Sequence, residues 1–178
     1  MPADGHEHAP SASATFAHGG VEAETAPISA AGGRWAIVTA RFNGAITQAL
    51  FQGATQVLLD AGAQPGHIRA VTVPGAVELP LAARELAKSG HFAGIIALGC
   101  VIRGETAHFD YVCGFATDGL LRVQLDHGLP VGFGLVTCDT VDQALSRAEL
   151  GSGGHNVGAD AARAALELSG LVRSIRSS

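Results

Sequence analysis

The sequence predicts an α/β protein, a three-layer α/β/α sandwich around a central four-stranded parallel sheet. Three observations predict it. From Arg34 onward, short β-branched apolar runs alternate four times with longer stretches whose apolar residues fall at helical spacing. Glycine- and proline-containing breaks separate the runs. The chain is 47% hydrophobic but only 15% charged, and its apolar content is mostly Ala, Leu and Val, which suits helices packed closely on both faces of a sheet. At 178 residues a single domain is expected.

The elements follow in order. "RWAIVTA" (34–40) reads as a buried strand, and "AITQALFQGATQVLLDAG" (45–62) as a helix with Gly62 closing it. "IRAVTV" (68–73) is the second strand, stopped by Pro74-Gly75. "ELPLAARELAKSG" (78–90) is a helix whose Pro80 sits in the first turn, where a missing N–H costs nothing. "FAGIIALGCVI" (92–102) is the third strand and "DYVCGFATDGLLRVQLDHG" (110–128) the third helix. "PVGFGLVT" (130–137) is the fourth strand. "TVDQALSRAEL" (140–150) opens on a capping box, Thr140 with Gln143, and places Arg147 late in that helix. A turn (151–158) leads into a last helix, "ADAARAALELSGLVRSI" (159–175).

Residues 1–33 differ from the rest. They hold four acids, no Lys or Arg, and few large apolar residues, so they read as a disordered tail ahead of a folded domain at 34–178. They lack the basic and apolar regions of a secretory signal and the arginines of a transit peptide. His6, His8 and His18 are either weak metal ligands or solvated residues. The formal net charge of -5 and the lack of a Lys/Arg cluster argue against nucleic acid as a partner. No apolar run is long enough to span a membrane. Three cysteines without a CxxC pair fit reduced thiols in a cytoplasmic setting.

In parallel sheets ligands bind beyond the carboxyl ends of the strands. The segments just past the four strands are Arg41-Phe42-Asn43, "PGAVE" (74–78), "RGETAH" (103–108) and Thr137-Cys138-Asp139. Phe42 is either a core residue or a platform for a flat heteroaromatic ring. Pro74 and Gly75 interrupt regular pairing, which leaves backbone groups able to read a heterocycle's edge. Glu78 can serve such a ligand or simply favour the start of its own helix. Gly104, Glu105 and Thr106 precede a helix, where amides bind phosphate or form a plain cap; Glu105 must point away or pair with Arg103. His108 has the ordinary pKa for proton transfer near neutrality, and Asp110 either orients it or stabilises the helix end. Arg147 is a helix-end charge, or it reaches a neighbouring subunit's loop. GxGxxG, P-loop, GxSxG and HExxH patterns are absent. Cys100 and Cys138 have no clear base partner and read as buried inert thiols.

Together "ARFN" (40–43), "VPGAVELP" (73–80), "LGCVIRGETAHFDYVC" (98–113) and "GFGLVTCDTVDQALSRA" (132–148) resemble, in order and spacing, the lumazine synthase family, over about residues 34–175. The resemblance implies that family's fold, with flavodoxin-like strand order. It implies a transferase reaction, the penultimate step of riboflavin biosynthesis. In it, 5-amino-6-(D-ribitylamino)uracil condenses with 3,4-dihydroxy-2-butanone 4-phosphate to give 6,7-dimethyl-8-ribityllumazine, phosphate and water, with no cofactor and no metal. A non-catalytic flavin- or lumazine-binding oligomer on the same scaffold is the alternative.

Carried over residue by residue, Phe42 stacks on the pyrimidine with Asn43 beside it. Ala76, Val77 and Glu78 face the ribitylamino part, and Cys100, Val101 and Ile102 the ring edge. Glu105 and Thr106 hold the phosphate through their amides, and His108 transfers protons. Phe133 and Arg147 come from the adjacent subunit, Arg147 as phosphate clamp. The resemblance also implies a homo-oligomer, a pentamer with sites between subunits, and riboflavin synthase as a candidate partner. Two departures stand out. "RAELGSGGHNVG" (147–158) is two residues longer than the family's usual segment, with Val157 where a lysine is common; the longer loop resembles that of members that stop at the pentamer. Phe115 replaces a frequent glutamate and reads as apolar packing at a helix contact.

Overall fold

The computed structural model describes residues 16–151 and 153–178. A short exposed hairpin, β1 (Ala17–His18) and β2 (Val21–Glu22), comes first. The main domain runs β3 (Trp35–Ala40), α1 (Gly44–Asp60), β4 (Ile68–Val73), α2 (Leu79–Lys88), β5 (Gly94–Ile102), α3 (His108–His127), β6 (Val131–Cys138), α4 (Val141–Leu145) and α5 (Val157–Ser177). β3 to β6 form one parallel sheet in the order β4-β3-β5-β6, the flavodoxin-like arrangement expected.

Period-two alternation in the strands divides the core into two layers. Trp35 and Ile37 of β3, Ile96, Leu98 and Cys100 of β5, and Val136 and Cys138 of β6 face one side. There α1 covers them with Ile46, Leu50, Ala54 and Leu58, and α5 with Ala161, Ala162, Ala165 and Leu166. Ala36, Val38 and Ala40, then Ile95 and Ala97, then Leu135 face the other side. They meet Leu79, Ala83 and Leu86 of α2 and Ala116, Leu120 and Val123 of α3. Each large aliphatic side chain so buried contributes about 1.5–3 kcal/mol. β4 is an edge strand, and most of it stays exposed or half-buried.

The elements lie close to their expected places, with three differences. α3 starts at His108 instead of Asp110 and ends at Gly128, whose φ of 55° is the left-handed cap expected of glycine. α4 stops at Leu145, so Arg147 lies beyond the helix that was expected to carry it. Thr140 Oγ1 does accept the Gln143 N–H at 3.2 Å, but Gln143 Oε1 accepts from Asp139 N, so the reciprocal bond forms one residue early. After α4, Ala148 bridges Asn156 antiparallel, and Val157 N donates to the Arg147 carbonyl at 2.9 Å. These bonds draw residues 147–150 out of the helix.

The third difference is that α5 begins at Val157, two residues early. Asn156 is the cause. Buried, it accepts Ala159 N at Oδ1 (3.0 Å) and donates Nδ2 to the Ala49 carbonyl of α1 (3.1 Å). Of the tail, residues 1–15, with His6 and His8, lie outside the described residues. His18 is exposed on β1. Ala26 and Pro27 lie against Gly170 of α5, and buried Ala30 donates to the Ala61 carbonyl at 2.9 Å. Packing against the domain thus reaches back ahead of Arg34, because small residues can seat on a helix without the large apolar side chains that composition looks for.

Gly158 sets how closely α5 approaches α1, since a Cβ there would strike the backbone of Leu50. Gly158→Ala is expected to lower the stability measured by urea unfolding by about 1–3 kcal/mol, the range for overpacking.

Candidate active site

The ladder between β3 and β4 continues past both strands. Arg41 N donates to the Val73 carbonyl at 2.9 Å and Phe42 N to the Pro74 carbonyl at 3.1 Å. The chain then turns sharply at Asn43, the one non-glycine residue with positive φ among the described residues (56°). Asparagine tolerates this left-handed conformation better than most residues. Its side chain does not cap α1 but crosses to β5, where Nδ2 donates to the Cys100 carbonyl at 2.9 Å. The turn leaves the Phe42 ring 75% exposed at the sheet edge.

After β4, a 3-10 turn spans Ala76–Glu78. Glu78 Oε2 accepts the Gly75 N–H at 2.8 Å, so this carboxylate fixes the 3-10 turn and makes no side-chain cap to α2. After β5, Thr106 Oγ1 accepts His108 N at 3.4 Å. Among the described residues, no backbone bond engages the amides of 104–107, which sit at the positive end of the twenty-residue helix α3. Arg103 does not pair with Glu105. It pairs with Asp139 (2.8 Å) and Asp110 (3.2 Å) instead. Asp110 is thereby held by the guanidinium and is not bonded to the His108 ring.

These strand ends enclose a cavity of about 350 Å³. Phe42, Asn43, Ala76, Val77 and Glu78 line one part of it, and Cys100, Val101, Ile102 and His108 another. All nine are residues singled out from the sequence. Gly75 and Val112 complete the wall. Val112 escaped the sequence reading, although it stands one helical turn after His108, at the spacing that puts both on one face. A larger groove of about 670 Å³ lies between α2 and α3 and shares Val77 and Glu78 with the cavity. Phe115, expected at a helix contact, is exposed and lines this groove. The smaller cavity is the better candidate, because it gathers the strand ends, the imidazole and the exposed ring.

Four predicted residues do not line this cavity. Glu105 and Thr106 belong to the loop before α3. Phe133, half-exposed on β6, lines two other surface grooves beside α3 and α5. Arg147 is exposed, with Nη1 donating to the Gln143 carbonyl at 2.9 Å.

Burial, reinforced by Cys138, pushes the Cys100 thiol up to about 12. Burial also raises Cys138, against the opposing pull of nearby Arg147, and raises Cys113. The thiols are therefore neutral near pH 7 and are poor nucleophiles. Among the described residues, no group of three or more His, Cys, Asp or Glu side chains could hold a metal ion. No helix among them is long and apolar enough to cross a membrane. The site offers a ring platform, backbone groups at strand ends, an anion-attracting helix end and an imidazole.

The fold is a parallel α/β sheet with a cavity at its carboxyl edge that gathers an exposed ring and an imidazole. Residues 32–173 match the family model described as 6,7-dimethyl-8-ribityllumazine synthase. Proteins of that name are similar to this chain over most of their length. One from Nitratidesulfovibrio vulgaris is 49% identical over 138 residues, 78% of this chain and 87% of that protein. One from Desulfatibacillum aliphaticivorans is 45% identical over 84% of this chain and 95% of its own. One from Salinibacter ruber is 47% identical over 79% of this chain and 89% of its own. The chain belongs to the 6,7-dimethyl-8-ribityllumazine synthase family.

The Cys100 thiol has a folded-state pKa above its ordinary value of 9.0, so the fold favours its protonated form. That contribution is complete below pH 9 and is lost as pH climbs toward 12. Urea unfolding measured across this window should show stability falling with pH, and Cys100→Ala should flatten the slope.

Proposed function

We propose that this chain catalyses the condensation of 5-amino-6-(D-ribitylamino)uracil with 3,4-dihydroxy-2-butanone 4-phosphate to 6,7-dimethyl-8-ribityllumazine. The observation that carries the reading is that Phe42 and His108 face one cavity at the carboxyl edge of the sheet. The pyrimidine stacks on Phe42, beside Asn43. Backbone groups of Val101 and Ile102, next to Cys100, read its edge, and Ala76, Val77 and Glu78 face the ribityl chain. The amides of Glu105 and Thr106 hold the phosphate at the start of α3.

The pyrimidine's primary amine attacks the ketone and water leaves as the imine forms. Loss of a proton and of inorganic phosphate gives an enol that becomes the second carbonyl. The ribityl-bearing amine closes the ring there, and a second water leaves. Each step moves a proton, and His108 stands beside the reacting atoms to carry it.

Phe133 and Arg147 lie outside the cavity of their own chain, and each serves a neighbour's site. The apolar surface supports assembly. Tyr111, Phe115, Leu121 and Leu125 of α3, Leu81 of α2 and Phe133 of β6 are all exposed. So much large apolar surface is uncommon on a lone chain. The assembly is a homopentamer without a shell, in keeping with the longer 147–158 segment. Val157 packs half-buried against the core and its N–H holds the Arg147 carbonyl, so the position braces Arg147. The setting is the cytoplasm, with riboflavin synthase as partner.

Purified protein mixed with both substrates should form lumazine and release phosphate faster than the uncatalysed reaction. No turnover, together with tight riboflavin binding, would favour the non-catalytic reading. His108→Ala should slow turnover by about 10²–10⁴-fold. Arg147→Ala should chiefly raise KM for the phosphate substrate. Co-assembling the two impaired variants should restore part of the activity at low concentrations of the phosphate substrate, since some mixed interfaces then carry both intact groups; no recovery argues for sites within one chain. Light scattering should give a particle of five subunits, and sixty would refute the proposed assembly.

A further inference from the structure

Arg103 has no place among the roles above, yet its side chain ties together three parts of the rim. Nε donates to Asp139 Oδ1 at 2.8 Å, and Nη1 to Asp110 Oδ1 at 3.2 Å. The guanidinium carbon lies 4.0 Å from the centre of the Phe109 ring. Its backbone N–H closes the β5–β6 ladder on the Cys138 carbonyl at 2.9 Å. Phe109 and Asp110 form the first turn of α3 with His108, and Asp139 follows β6 directly. Beyond Asp139 the connection continues. Asp139 N donates to Gln143 Oε1, and the Gln143 carbonyl accepts Arg147 Nη1, each at 2.9 Å. A chain of contacts therefore runs from the turn that carries His108 to the arginine offered to a neighbour.

Stability is a weak reason for this arrangement. The Arg103 side chain is 44% exposed and its partners more so, and pairs this exposed add little. Geometry is a better one. A planar fork can fix two carboxylates from two separate elements, which a point charge cannot. Charge points the same way, since Asp110 sits in the first turn of α3, where a bare carboxylate would oppose an incoming phosphate.

We propose that Arg103 is a positioning residue for the reaction: by bridging Asp110 and Asp139 over Phe109, it sets the phosphate-holding start of α3 and the Arg147 segment in their working geometry. This rests on the phosphate site proposed above. Steady-state kinetics of the full-length protein, Arg103→Met and Asp139→Asn test it, with each substrate varied in turn. Wild-type protein that forms no lumazine overturns the functional reading itself. With active wild type, Arg103→Met is expected to raise KM for the phosphate substrate about 10–100-fold, the scale of a small misplacement. KM for the pyrimidine should stay within about twofold, and the melting temperature should fall by about 2–4 °C at most. Asp139→Asn should raise the same KM by a smaller factor. Unchanged KM values, or a parallel rise in both with a larger loss of melting temperature, overturn the assignment. If Arg103→Met does not fold, the Asp139→Asn values decide by the same two criteria.

Discussion

The side chain of Asn43 crosses from the end of β3 to the Cys100 carbonyl of β5, and the cavity depends on that crossing. β3 and β5 are neighbours at the middle of the sheet, and the chain leaves them in opposite directions. From β3 it passes through α1 to edge strand β4, and from β5 through α3 to edge strand β6. A crevice opens wherever parallel strands part in this way. Asn43 spans it with one hydrogen bond, made possible by a backbone conformation that most residues resist. The same turn throws the Phe42 ring outward and leaves strand-end groups of β5 facing the space beneath it.

Three carboxylates at this rim have local partners. Glu78 accepts a backbone N–H, and Asp110 and Asp139 share one guanidinium. These carboxylates therefore tie loops together, while the start of α3 keeps its attraction for anions. Burial holds the nearest thiols neutral, so Cys100 contributes volume to the wall and no nucleophile. The reaction proposed for this family member draws on these groups. A planar ring, a phosphate and successive proton transfers match a platform, a cradle and one imidazole.

Two further residues lie away from the cavity. Phe133 sits on the free edge strand β6 and Arg147 on a loop stitched to Asn156 and Val157, neither beside the cavity of its own protomer. Exposed Tyr111, Phe115, Leu121 and Leu125 lie on α3, whose inner face is already satisfied by Ala116, Leu120 and Val123. A helix apolar on both sides is one expected to be covered twice. The sheet-facing side builds the domain, and the outer side leaves apolar area uncovered.

The sequence by itself determined the α/β alternation, the sheet's two buried faces and the candidate residues of the cavity wall. The first two follow from local periodicity, and the wall residues of segments 41–43, 74–78 and 103–108 from the rule that ligands gather at the carboxyl ends of parallel strands; Cys100, Val101 and Ile102 came from the family resemblance alone. It did not determine where α4 stops or where α5 begins. Asn156 settles the start of α5 through bonds to Ala49 and Ala159, and Ala49 is more than a hundred positions away in the chain; past the end of α4, Ala148 bridges Asn156 and the Arg147 carbonyl accepts Val157 N. Nor did it give Arg103 its partners. Proximity to Glu105 in the chain suggested that pair, but the fold brings Asp139 across from β6 and Asp110 around one helical turn. Spacing along a chain reports which face a side chain occupies. Which distant group meets it there is decided only when the sheet is assembled and the strand ends come together.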